Sequence, residues 1–152
     1  MAIVKSLWAK GEAQTIRPQT AGDNSVTRFE FDLSKVGVGA SDILELGVLP
    51  PYCRITHATL IPEGTWTGIT ADVGMMTGDT GADFMPDGTT ARTSGVELWD
   101  DVDLTVKLSA LSKPDAILLT ATESNRSVGV KFSGAVTAAA GKKITLLPSS
   151  AL

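Results

Sequence analysis

The sequence predicts an all-β protein: an antiparallel β-sandwich, an eight-stranded jelly roll, preceded by an extended N-terminal arm. Three observations predict it. Apolar and polar residues alternate with a period of two, as in Phe29, Phe31 and Leu33 against Arg28, Glu30 and Asp32. Short apolar runs are separated by Pro and Gly turns, most plainly in residues 42–81, DILELGVLPPYCRITHATLIPEGTWTGITADVGMMTGDTG, which reads as three strands. Finally, no window carries a sustained helical period, and Thr90 to Gly95 is the only place where a single helical turn is expected.

Residues 1–25 are set apart as an arm. Gln14, Thr15, Gln19, Thr20, Gly22, Asp23, Asn24 and Ser25 make a polar, turn-rich approach, with Ile3, Val4, Leu7, Trp8 and Ile16 as its apolar points. Fully extended, such a segment reaches roughly 80–90 Å, enough to touch a neighbouring subunit. The same residues also fit a tail or an edge strand packed on its own domain.

The β domain then occupies 26–152. Its first strand runs from Val26 to Leu33, followed by Ile43 to Leu49, Arg54 to Ile61 and Ile69 to Met76. Val102, Leu104, Val106 and Leu108 alternate with Asp103, Thr105, Lys107 and Ser109 as a half-buried strand. Ile117 to Thr122, the alternating Ser127 to Phe132, and Ile144 to Leu147 complete the set. Residues 78–95, with Gly78, Gly81, Gly88, Gly95 and Pro86, are the longest turn-rich connection, a length that marks a functional or mobile loop. Eight short strands with turns between them suit a jelly roll.

Composition bounds the function. At 152 residues the chain fits one domain, and 43% hydrophobic with 20% charged residues describes a globular protein rather than a disordered one. Cys53 is the only cysteine, so no internal disulfide is available, and its expected role is a small buried hydrophobe. The N-terminus has no apolar run of signal-peptide length and no stretch approaches a membrane span, so synthesis in the cytoplasm is expected. Net charge is −4, and only Lys142 and Lys143 stand together as cations, so neither nucleic acid nor a membrane is an expected partner.

The candidates for chemistry are few. His57 is the only histidine and shares a face, by period two, with Ile55 and Ile61, the place of a core histidine rather than a catalyst; no G-x-S-x-G elbow accompanies it. Asp72, Asp79, Asp83, Asp87, Asp100, Asp101 and Asp103 could offer oxygen ligands to a cation, but their spacing does not match a calcium loop, and Asp serves turns for conformational reasons alone. Cys53 and His57, four apart, do not make a zinc site. Trp8, Trp66 and Trp99 could stack on sugars, and Trp66, between Thr65 and Thr67, is the one expected to be exposed as an interface anchor. The reading is of a protein without enzymatic activity, cofactor or bound metal.

Two segments, residues 42–81 quoted above and NRSVGVKFSGAVTAAAGKKITL at 125–146, carry a family resemblance. The order of an ELG-x-L-P strand, an A-x-L strand, a D-V-G-x-M-x-G strand and a terminal R-S-x-G-V-K-F strand resembles the head decoration, or cement, proteins of tailed bacteriophages. It covers somewhat less than half the chain. The resemblance implies a jelly-roll subunit, often a homotrimer, that binds the exterior of an assembled capsid beside the major capsid protein. On that reading Ile3, Leu7, Trp8, Ile16 and Arg17 of the arm, with Trp66, make subunit and capsid contacts. The rival readings are a tail, baseplate or head-fibre subunit, and a carbohydrate-binding sandwich module. An enzyme is the remotest.

Overall fold

Ile43–Leu49 (ILELGVL) holds one charge in an otherwise apolar run, the pattern of a strand covered on both faces, and it is buried along its entire length. In a computed structural model, which describes residues 2–14, 23–111 and 113–152, this segment is the fourth of ten strands among those residues. They are β1 (Ile3–Lys5), β2 (Asn24–Val26), β3 (Phe29–Asp32), β4 (Ile43–Leu49), β5 (Arg54–Glu63), β6 (Thr70–Met75), β7 (Trp99–Asp103), β8 (Ser109–Ala110), β9 (Arg126–Phe132) and β10 (Lys143–Ala151). One short helix, α1 (Asp115–Leu118), lies between β8 and β9.

The first sheet runs β1-β4-β9-β6-β7 and the second runs β2-β10-β5-β8, with β3 also on β10. β1 pairs with β4 in parallel, and the other pairings are antiparallel. The expected fold class holds: a nearly all-β, jelly-roll-like sandwich. Leu44, Leu46, Val73 and Val130 of the first sheet pack with Phe29, Leu60, Ile144 and Leu146 of the second in one continuous core. Each such side chain contributes roughly 1.5–3 kcal/mol on burial.

Two prolines explain where the second sheet is interrupted. Pro148 sits in the central strand β10, and its carbonyl accepts from Thr27 N (3.3 Å), so its absent N–H faces the same side. There the ladder breaks, with β3 pairing up to Leu146 and β2 only from Ser149. Pro62 in β5 lies on the side where Ala58 O accepts from Leu111 N, beyond Ser109, where the pairing with β8 has ended.

A bulge corrects the expected face of His57. His57 pairs with Ser149 and Ile55 with Ser150, leaving Thr56 as the extra residue. Ile55 points inward below the bulge and Ala58 and Leu60 point inward above it, which turns His57 out to solvent rather than onto the Ile55 face. Cys53 is buried just before β5, so the two residues do not share a strand face.

Other elements differ from expectation for local reasons. The Val102–Leu108 alternation stops at Asp103, whose carboxylate accepts from Thr105 N (2.9 Å) and Oγ1 (2.8 Å) and folds the chain into a turn. Leu104 stays buried, while Val106 and Leu108 are exposed. Within Ile117–Thr122 the expected strand is replaced at its start by α1, which Pro114 and Asp115 initiate. Thr90 to Gly95 is extended instead of helical, with bridges Phe84 to Ala91 and Met76 to Ser94.

Of the readings of residues 1–25, the edge strand packed on its own domain describes residues 2–14: β1 pairs with β4 at the edge of the first sheet, and 7–13 form a turn. Ile16 and Arg17, expected to make contacts, lie outside the described residues.

Candidate interaction surface

Ser6 lies directly after β1 and anchors the turn at residues 7–13. Its buried Oγ donates to Leu46 O (2.7 Å) and accepts from Ala9 N (3.3 Å), while Ser6 O accepts from Lys10 N (3.0 Å). Glu12 N closes the turn on Leu7 O (2.9 Å). The backbone of residues 6–12 is therefore fixed by the sheet, and Leu7, 52% exposed, is held out from it. Trp8 lies half-buried, edge-on to Phe29.

Open grooves of about 570 Å³ flank this turn on each side. The first is mainly apolar, with Leu7, Trp8 and Phe31 among charged Lys5, Arg28 and Glu30. The second runs from Trp8 and Gly11 to Pro50, Thr80 and Asn125. A ridge with one presented Leu and an aromatic root, between two furrows, can bury apolar area against another chain without first ordering itself. Of the expected contact residues, Leu7 and Trp8 come together here, while Ile3 lies half-buried at the start of β1, paired with Ile43, and lines neither groove.

Trp66 does not join them. It is buried, stacked on Phe132 (centroids 5.6 Å, interplanar 23°), with its Nε1 donating to Glu63 O (2.9 Å) and Lys142 Nζ 4.9 Å from the ring. Both ring faces and the polar edge are engaged internally, so the expectation of an exposed anchor is overturned. Trp99 is likewise buried, its Nε1 on Ala110 O (3.3 Å), so neither ring is available as a sugar platform.

The surface has a neighbour that sequence reasoning missed. Glu45, the one charge in β4, and Arg92, within the long connection, form an ion pair with both side chains at 0% exposure. Arg92 Nη1 and Nη2 donate to Glu45 Oε2 (3.0 Å) and Oε1 (3.1 Å), Nε to Thr77 O (2.7 Å), Nη1 also to Ala82 O (2.8 Å), and Nη2 to Ser127 Oγ (3.4 Å). Glu45 Oε1 further accepts from Ser127 Oγ (2.6 Å) and Gly81 N (2.9 Å). A buried charge persists only with such complete pairing. The signal was a lone acid in an apolar run, which demands a partner.

The acidic residues mostly serve turns. Asp83 is bound to Lys5 (2.6 Å), whose hydrogen bond and charge hold its carboxyl below the usual range. Asp87 accepts from the Thr90 hydroxyl and from Thr90 N (2.8 Å) and Thr89 N (2.9 Å), which lowers it from 3.8 to about 2. Asp72, Asp100 and Asp101 bring carboxylate oxygens within 4.8 Å of one another. Asp72 Oδ1 accepts from Asp101 N (2.9 Å), and Asp100 and Asp101 are exposed.

No profile of a known protein family and no curated protein matches the chain. Among solved structures, a chain in the capsid of Ralstonia phage GP4 is 34% identical, with a TM-score of 0.83 over 99% of this chain and 97% of that one. A chain of the cyanophage Pam1 capsid asymmetric unit matches at a TM-score of 0.57 and 17% identity, over 93% and 95%, a likeness of fold.

Proposed function

This chain belongs to a family of bacteriophage capsid proteins, and from that premise we propose that it is a non-enzymatic decoration, or cement, subunit bound to the exterior of the assembled shell. Its partners are the major capsid protein and, in a homotrimer, further copies of itself. The observation that carries the reading is the Leu7 ridge: an exposed apolar side chain on a backbone pinned by Ser6 to β4. Such a preorganised contact loses little conformational freedom on docking.

The charge supports the exterior. A net charge of −4 without a cationic cluster suits solvent better than packaged nucleic acid. No helix among the described residues is long and apolar enough to cross a membrane. A subunit that binds only the assembled shell stabilises it by mass action, and joined copies gain avidity.

Particles assembled without this protein test the role. A decoration subunit leaves assembly intact, lowers resistance to heat when it is missing, and restores it when added back. Failure of shells to form without it would assign it to the shell itself.

A further inference from the structure

The connection between β6 and β7 carries four exposed or half-buried acids and an exposed phenylalanine, Phe84. Residues 77–93 are tied to the first sheet chiefly through the buried Arg92, beside the bonds of Asp83 to Lys5 (2.6 Å) and of Thr80 Oγ1 to Ser127 Oγ (3.1 Å). All five donor positions of Arg92 are directed inward: to the loop's own start at Thr77 O, to its middle at Ala82 O, and to the β4 and β9 floor at Glu45 and Ser127. Glu45 completes the tie by accepting from the loop amide of Gly81. Gly81 in turn lies against the N-terminal turn, where a Cβ would stand 2.6 Å from Ala9 O, and Asp83 holds Lys5 at 2.6 Å. The same loop thus touches both ends of the segment that presents Leu7.

We propose that Arg92, seated on Glu45, is a positioning residue for the Leu7 ridge: it holds the 77–93 loop down as a strap, and the strap holds residues 5–9. The part of this that concerns capsid binding rests on the decoration reading above. The strap itself does not.

Arg92→Ala leaves Glu45 buried without its partner and can unfold the chain. The informative variant is the double substitution Glu45→Leu with Arg92→Met, which removes both charges and keeps apolar volume, a change buried ion pairs tolerate. Amide exchange by NMR on the full chain reads the result. The proposal predicts exchange at least about tenfold faster at Ala9 and Lys10, whose acceptors on Ser6 the variant leaves in place, with Val130 and Leu146 in the core strands unchanged. Affinity for capsids assembled without the protein should also fall at least about tenfold. Unchanged protection at Ala9 and Lys10, or equal acceleration throughout the core strands, would overturn the strap. A loosened strap with undiminished capsid affinity would overturn the positioning role. Should the wild-type protein itself not bind capsids, the decoration reading fails, while the exchange pattern still decides the strap.

Discussion

Trp8 meets Phe29 edge-on, with ring centroids 5.2 Å apart and planes at 85°. Trp8 comes just after the edge strand of the first sheet and Phe29 begins the edge strand of the second, so this pair pins the two sheets together at the side that carries the Leu7 ridge. Edge-to-face geometry adds about 0.5–1.5 kcal/mol to the burial of the rings.

Gly47 is what leaves room for that pair. A Cβ at position 47 would lie 2.8 Å from Phe29 Cδ2. Gly47→Ala is expected to displace the Phe29 ring and cost roughly 1–3 kcal/mol, read by urea denaturation. An unchanged midpoint would show that the ring can give way at no cost.

Trp66 belongs to the core. Trp66→Ala should cost roughly 3–5 kcal/mol, whereas Trp66→Phe, which keeps a ring against Phe132 and gives up the bond to Glu63 O, should cost nearer about 1 kcal/mol. Thermal unfolding of both variants separates this from a surface role, in which neither would shift the transition.

Leu7 behaves in the opposite way. Half-exposed and outside the core, Leu7→Asp should alter stability by no more than about 0.5 kcal/mol. Its binding to capsids, measured by co-sedimentation, should weaken at least about tenfold. Full-strength binding by a folded Leu7→Asp protein would remove the ridge from the interface.

The Asp87 turn sets a pH dependence. Its folded pKa of about 2 lies below the ordinary 3.8, chiefly through the Thr90 hydroxyl and then the Thr90 and Thr89 amides. The turn is therefore stabilised above about pH 4 and loses that support as pH falls through 2. An NMR titration of the Asp87 carboxyl should show a midpoint near 2, with the Thr89 and Thr90 amides moving in step. A midpoint at 3.8 would mean that the cap does not form in solution.

The strands were legible wherever period two or a continuous apolar run met a turn signal, as in Ile43–Leu49 and Arg126–Phe132. His57 was misplaced because a bulge reverses alternation without any mark in the local pattern. Val102–Leu108 was overextended because Asp103, read as the polar half of an alternation, spends its carboxylate on a turn. At the site, Leu7 and Trp8 stood out as apolar points in a polar segment. Trp66 misled because its flanking threonines and glycines suggested solvent, while the stacking Phe132 lies 66 residues away. Glu45 and Arg92 are 47 residues apart, and their pairing exists only once the loop folds over β4.

The most direct test of the decoration role is a titration of the purified protein onto particles assembled without it, with bound copies counted by quantitative mass spectrometry against the major capsid protein. The account predicts saturation at a simple, fixed ratio to the shell subunits, with resistance to heat rising as sites fill. Saturation at a handful of copies per particle would place the protein at the tail or a single vertex, and absence of binding would contradict the decoration role altogether.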